Sequence, residues 1–188
     1  PIQLPSNIRL IGRGPSSVIR LAKESNCHMF VNDNPEQGNS NITVDGVSID
    51  GNMEYQSKPD PVKSLTFACG FYLKNVRNAV LVNLRAENIR QTAVHLTVSQ
   101  SVAIRNLHAE RVGWSGLSSS EACDIAASGT VIDSGLDVMH SAVHMDGGTG
   151  VSLDFSIKDC TGNGIMIDSA FSAIGLIVAR GSATRCKR

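Results

Sequence analysis

The sequence predicts an all-β fold, a right-handed parallel β-helix, from three observations: an imperfect repeat, strand-like alternation inside each repeat, and a composition of small residues. The repeat emerges when the segments beginning at Asn41, Asn78, Ser101, Asp124 and Gly150 are written above one another. "NAVLVNLRAENIRQTAVHLTVSQ" is followed 23 residues on by "SVAIRNLHAERVGWSGLSSSEAC". "DIAASGTVIDSGLDVMHSAVHMDGGT" runs slightly longer and "GVSLDFSIKDCTGNGIMIDSAF" slightly shorter. One such unit has too little apolar surface to fold alone, so it must bury its inner side by stacking on its neighbours. The alternation of Val80, Val82 and Leu84 against Leu81 and Asn83 has the strand period of two, with Gly or Asn where the chain turns. Aromatic residues make up only 4% while glycines number 17, which suits thin stacked coils better than a helical bundle. A leucine-rich consensus and paired helices are both missing, which excludes the common alternative solenoids.

The elements follow in chain order. "LPSNIRLIGRGPSSVIRL" reads as a first coil: a strand from Ile8 to Ile11, a Gly12-Arg13-Gly14 turn and a strand from Val18 to Leu21. The Asn41 segment matches the repeat at "NITVDGVSIDGN" and rejoins it at "CGFYLKNVR". Met53 to Ser64, with Pro59 and Pro61, is therefore an inserted loop, and Tyr55 and Lys58 are its candidates to overhang a binding face. In the later coils one strand is marked by a small residue and then an apolar one: Gly70-Phe71, Ala93-Val94, Gly116-Leu117, Ala142-Val143 and Gly164-Ile165. If those apolar residues point inward, the next ones point out and form a column of Tyr72, His95, Ser118, His144 and Met166. Two positions on, the same face carries Lys74, Thr97, Ser120, Asp146 and Asp168. Strands stack at about 4.8 Å, so the two columns make one contiguous strip, the best candidate site. Glu87, Glu110 and Asp133 read as a second outward column, with Lys158 one coil later, and its expected role is a solvated acidic strip.

With 188 residues, 41% of them hydrophobic, the chain supports one continuous core and reads as a single domain, 1–188. Lys plus Arg and Asp plus Glu each total 17, which removes the electrostatic footprint of a nucleic-acid binder. No run is apolar and long enough for a membrane-spanning helix. The cysteines Cys27, Cys69, Cys123, Cys160 and Cys186 are irregularly spaced, fit neither a disulfide framework nor a zinc pattern, and read as buried small hydrophobes. The chain opens in mid-pattern and closes abruptly at Cys186-Lys187-Arg188. We therefore expect a piece of something longer that lacks one or both terminal caps, with bare strand edges prone to self-association.

The coil pattern resembles the pectate-lyase-like superfamily of right-handed β-helices, particularly uronate lyases, mannuronan C5-epimerases and phage tailspike depolymerases. The likeness covers most of the chain. It implies a polysaccharide partner, an extracellular or cell-envelope location, and an outward sheet face that floors a sugar-binding groove. Uronate lyases and epimerases remove a proton α to a carboxylate and need a base, a proton donor and a cation. The resemblance implies a groove-floor role for Tyr72, Lys74, His95, His144 and Asp146, with His95 or His144 as base, Tyr72 as donor and Lys74 as cation. Ser118 and Thr97 are candidate sugar contacts, and Trp114, in the turn before Ser115, is either a sugar-stacking platform or a packing residue over a neighbouring coil. The epimerase segment Tyr-Gly-Phe-Asp-Pro-His is replaced here by Thr92-Ala93-Val94-His95-Leu96-Thr97 and Ser141-Ala142-Val143-His144-Met145-Asp146. A second reading is a glycan hydrolase or tailspike-type depolymerase in which Asp146 and Asp168, with backbones about 5 Å apart, act as paired carboxylates. A third is a non-catalytic carbohydrate-binding or structural solenoid. No cofactor or metal is required by these readings. Calcium stays open only through Asp45, Asp50 and Asn52, short of the six to eight oxygens that ion takes.

Overall fold

The computed structural model describes residues 1–58, 68–137, 140–168, 175 and 177–186. The chain is a parallel β-solenoid of about six turns, with no α-helix among the described residues. One seven-stranded sheet stacks Ile2–Leu4, Phe30–Asn32, Phe71–Lys74, Val94–Thr97, Leu117–Ser120, Val143–Asp146 and Ile165–Asp168 in chain order. A ten-stranded sheet, from Arg9–Ile11 to Ile177–Thr184, closes the other side of each coil. The opening coil has strands at Arg9–Ile11 and Val18–Arg20, within the stretches expected.

The residues at which the repeat begins explain why the repeat is visible. Asn41, Asn78, Ser101, Asp124 and Gly150 all adopt positive φ, between 52° and 68°, as does Asn7 in the first coil at 61°. Each is the same corner of successive coils, where the backbone must turn left-handed, and Asn, Asp and Gly tolerate that conformation best. The corner is also tied from coil to coil: Asn41 Nδ2 donates to Asn7 Oδ1 at 2.8 Å. A second corner carries Asp45, Asn83 and Asn106 in a ladder, with amide donors to the preceding coil at 2.9 and 3.0 Å. Asn83, at φ 52°, interrupts the alternation predicted across it. Leu81 and Leu84 are both buried, and Val80 and Val82 face outward.

The core is a stack of inward columns. Phe71, Val94, Leu117 and Val143 are register partners and fully buried, and Phe30 stacks on Phe71 with centroids 4.7 Å apart. The small residue before each of them is a packing requirement. A Cβ at Gly116 would come within 2.5 Å of the Val131 side chain.

Two expectations need correction. The second outward column is Glu87, Glu110, Ile132 and Lys158, so Asp133 is one position out of register. The cause is a shortened corner: the step from Ile104 to Leu107 faces only Ala127 to Gly129, and Asn106 has no counterpart in the next coil. The described part of the inserted loop is fastened rather than overhanging. Met53–Tyr55 forms a 3-10 turn, and buried Gln56 donates to Ala22 O and accepts from Asn26 N–H, both at 2.9 Å. Positions 59–64 of that loop lie outside the described residues.

Candidate active site

The seven-stranded sheet places the predicted columns in register. Tyr72, His95, Ser118, His144 and Met166 are successive partners, and so are Lys74, Thr97, Ser120, Asp146 and Asp168. Strand alternation puts Phe71, Leu73, Val94 and Leu96 inside and these residues outside. The face is less open than expected: His95 and His144 are half-buried, while Ser118 and Asp146 are only 6% and 4% exposed.

The shielding comes from side chains that stack along the solenoid axis. Tyr72 lies between His28, at 4.6 Å, and His95, at 5.5 Å, with the rings within 13° of parallel. Both faces of the phenol are therefore covered, and Tyr72 presents only an edge outward. A second group begins at Trp114, which stacks on His140 at 5.7 Å, and His140 meets His144 edge-on at 5.0 Å. Trp114 thus packs over the neighbouring coil through one face.

His95 is held at both nitrogens, by Ser118 Oγ at Nδ1 (2.5 Å) and by Thr97 Oγ1 at Nε2 (3.0 Å). In a neutral imidazole one nitrogen donates and the other accepts, and a hydroxyl can serve either role, so the two contacts fix the orientation of the ring. Burial, reinforced by the neighbouring His28, His144 and His140, pushes the His95 pKa down to about 4. Ser118 and Thr97, predicted as sugar contacts, are engaged in orienting this ring. Lys74, the predicted cation, is paired with Glu36 at 2.8 Å, and that hydrogen bond is the main reason its pKa is raised.

The remaining end of the strip carries the carboxylates. Asp146 and Asp168 are register partners on adjacent strands, as expected. His144, on the same strand as Asp146, reaches across to Asp168, with Nε2 3.0 Å from Oδ2. Their side chains are 20% and 31% exposed, open enough for a ligand to reach and covered enough to hold one geometry. His140 supports this group from the turn, its Nδ1 2.7 Å from Ser115 Oγ, and burial lowers its pKa.

Alternation alone missed three participants. His28 and His140 precede their strands, where side chains no longer alternate, although His140 falls one coil beyond Trp114 in the same register. The third is a buried ion pair behind the Trp114 turn, where Arg90 Nη1 donates to both Asp137 oxygens at 2.8 and 2.7 Å. It spans two coils across Gly113, whose Cβ would lie 2.6 Å from Asp137 Oδ2. The oxygens considered for calcium are hydrogen-bonded within the protein: Asp45 accepts from Asn83, and Asp50 accepts from Asn52 and Asn88 and pairs with Arg20.

No protein-family profile matches the chain, and no curated protein sequence does. Among solved structures it is similar to the catalytic domain of a GH87 α-1,3-glucanase in complex with nigerose, with a TM-score of 0.58 and 14% identity. The alignment covers 96% of this chain and 39% of that one. At this identity the likeness is one of fold, the β-solenoid.

Proposed function

We propose that the seven-stranded face binds a polysaccharide and hydrolyses it with Asp146 and Asp168 as its carboxylate pair. The observation that carries this reading is the placement of two carboxylates one strand apart, with His144 orienting the more exposed one. Glycoside hydrolysis needs an acid at the leaving oxygen and a second carboxylate at the anomeric carbon, and a backbone separation of about 5 Å is closer to the retaining arrangement. Asp168, fixed by His144, attacks the anomeric carbon as Asp146 protonates the departing oxygen; water, deprotonated by Asp146, then displaces Asp168 from the sugar and leaves Asp146 protonated again. The fold likeness to a glucanase catalytic domain supports the same class of substrate.

Uronate lyase or epimerase chemistry is less well supported. It requires a cation at the developing enolate and a base with an open lone pair. Lys74 is ion-paired with Glu36, His95 is hydrogen-bonded at both nitrogens, and His144 Nε2 is engaged by Asp168. The extracellular or cell-envelope location remains part of the proposal, as the place where a polysaccharide would be met.

The test is incubation of the purified chain with neutral glucans and with uronate polymers. New reducing ends without new ultraviolet absorbance are expected, and Asp168→Asn and Asp146→Asn should each lower the rate at least about a hundredfold. Unsaturated products, deuterium uptake without cleavage, or binding with no product would overturn the hydrolase reading.

A further inference from the structure

The search beyond the first sheet returns to two of the cysteines. Cys160 and Cys186 follow equivalent corners of adjacent coils: Asp159 and Arg185 are both left-handed, at φ 56° and 52°, and are joined by a salt bridge. The parallel register runs up to Lys158 opposite Thr184, so two residues later Cys160 lies opposite Cys186. Both side chains turn inward. Cys160 is 2% exposed, and Cys186 is packed against the core cluster. Cys160 Sγ donates to Gly162 O at 3.2 Å, and Cys186 Sγ lies 4.0 Å from where a Cβ of Gly164 would stand, so both free thiols border the turn from Gly162 to Gly164. Opposed residues in parallel strands have Cα atoms about 5 Å apart, inside the window that a disulfide spans.

We infer that Cys160 and Cys186 are an oxidisable pair that forms a disulfide between the last two described coils. This site is independent of the proposed hydrolysis. The bond would join Val151–Cys160 to Ile177–Thr184, which pair in parallel from Val151 opposite Ile177 to Lys158 opposite Thr184. Cys160 is the harder thiol to ionise, its pKa pushed up to about 12 by burial and then by the Cys186 thiol. Cys186, the more accessible, therefore reacts first.

The oxidant is a low-molecular-weight disulfide. The Cys186 thiolate attacks one of its sulfurs, forming a mixed disulfide and expelling a thiolate. The Cys160 thiolate then attacks Cys186 Sγ, breaking the mixed disulfide and releasing the second small thiolate. Two protein thiols lose two electrons, the small disulfide gains them, and the two cysteine protons end on the released thiols.

The experiment treats the full folded chain with oxidised glutathione, then alkylates and maps it without reduction. The expected result is a linked peptide containing Cys160 and Cys186, with Cys27, Cys69 and Cys123 still alkylated and formation faster as pH rises. The oxidised form should also melt several degrees higher than the reduced one, a gain that Cys186→Ser abolishes while the reduced variant melts like the reduced parent. A stable glutathione adduct on Cys186, a different pairing, or five free thiols after treatment would overturn the inference.

Discussion

The two outward faces of the solenoid share one strand spacing and use it differently. On the seven-stranded sheet, rings and hydroxyls stack along the axis and satisfy one another, burial lowers the His95 pKa to about 4, and Ser118 is nearly dry. On the ten-stranded sheet, Glu87, His108 and Glu110 gather with ligand atoms within 4.8 Å of one another, and Arg85 pairs with both glutamates. Those side chains stay roughly a third exposed, so water carries much of their charge. The same rung geometry gives a preorganised, partly dehydrated face on one side and a solvated ionic patch on the other. What separates them is the aromatic rings on the first face, which exclude water that carboxylates alone would retain.

The comparison can be broken first at its shared base. Val94→Asp places an unpaired carboxylate beneath His95 in a column with no exposure, and a loss of about 4 kcal/mol or more is expected, enough to unfold much of the population. Urea unfolding followed by circular dichroism measures it. A well-folded variant would mean that this column does not face the core.

Acid is the next largest lever, and it acts through the first face. The folded pKa of His95 is depressed to about 4 from an ordinary 6.5, so its contribution is complete above pH 6.5 and is lost as pH falls toward 4. Between pH 6.5 and 5, where most carboxylates remain ionised, stability should fall by on the order of 2 kcal/mol, with His140 adding in the same direction. His95→Ala should flatten that slope in thermal unfolding across this range. A similar cost, about 1–2 kcal/mol at pH 7, is expected of His95→Ala itself, because it strands Ser118 and uncovers one face of Tyr72. The smallest effect belongs to the second face. Glu110→Gln should change stability by less than about 0.5 kcal/mol, and added salt should erase even that.

The columns of the first sheet were legible because two periods coincide there. Strand alternation fixes which residues face out, and the coil repeat fixes which of them become neighbours, so Tyr72, His95 and His144 could be aligned from letters alone. Legibility failed where either period lapses. His28 and His140 sit before their strands, in turns where direction is set by local dihedral angles. Asp133 was assigned to a column that belongs to Ile132 because Asn106 occupies a corner position that the next coil omits. Burial differs from the alternation's expectation too: Ser118 points outward but lies between the rings of His95 and His144 and is only 6% exposed.

That omitted corner residue has a practical side. The spiral drops one position between Ile104 and Leu107, yet the rows before and after it stay aligned, since His108 still meets Thr130 and Ala103 still meets Ala126. Chain length is thus decoupled from side-chain order at the bends. A short peptide grafted beside Asn106 should be tolerated without disturbing the groove, and whole turns could be exchanged as cassettes whose ends are defined by the left-handed bends.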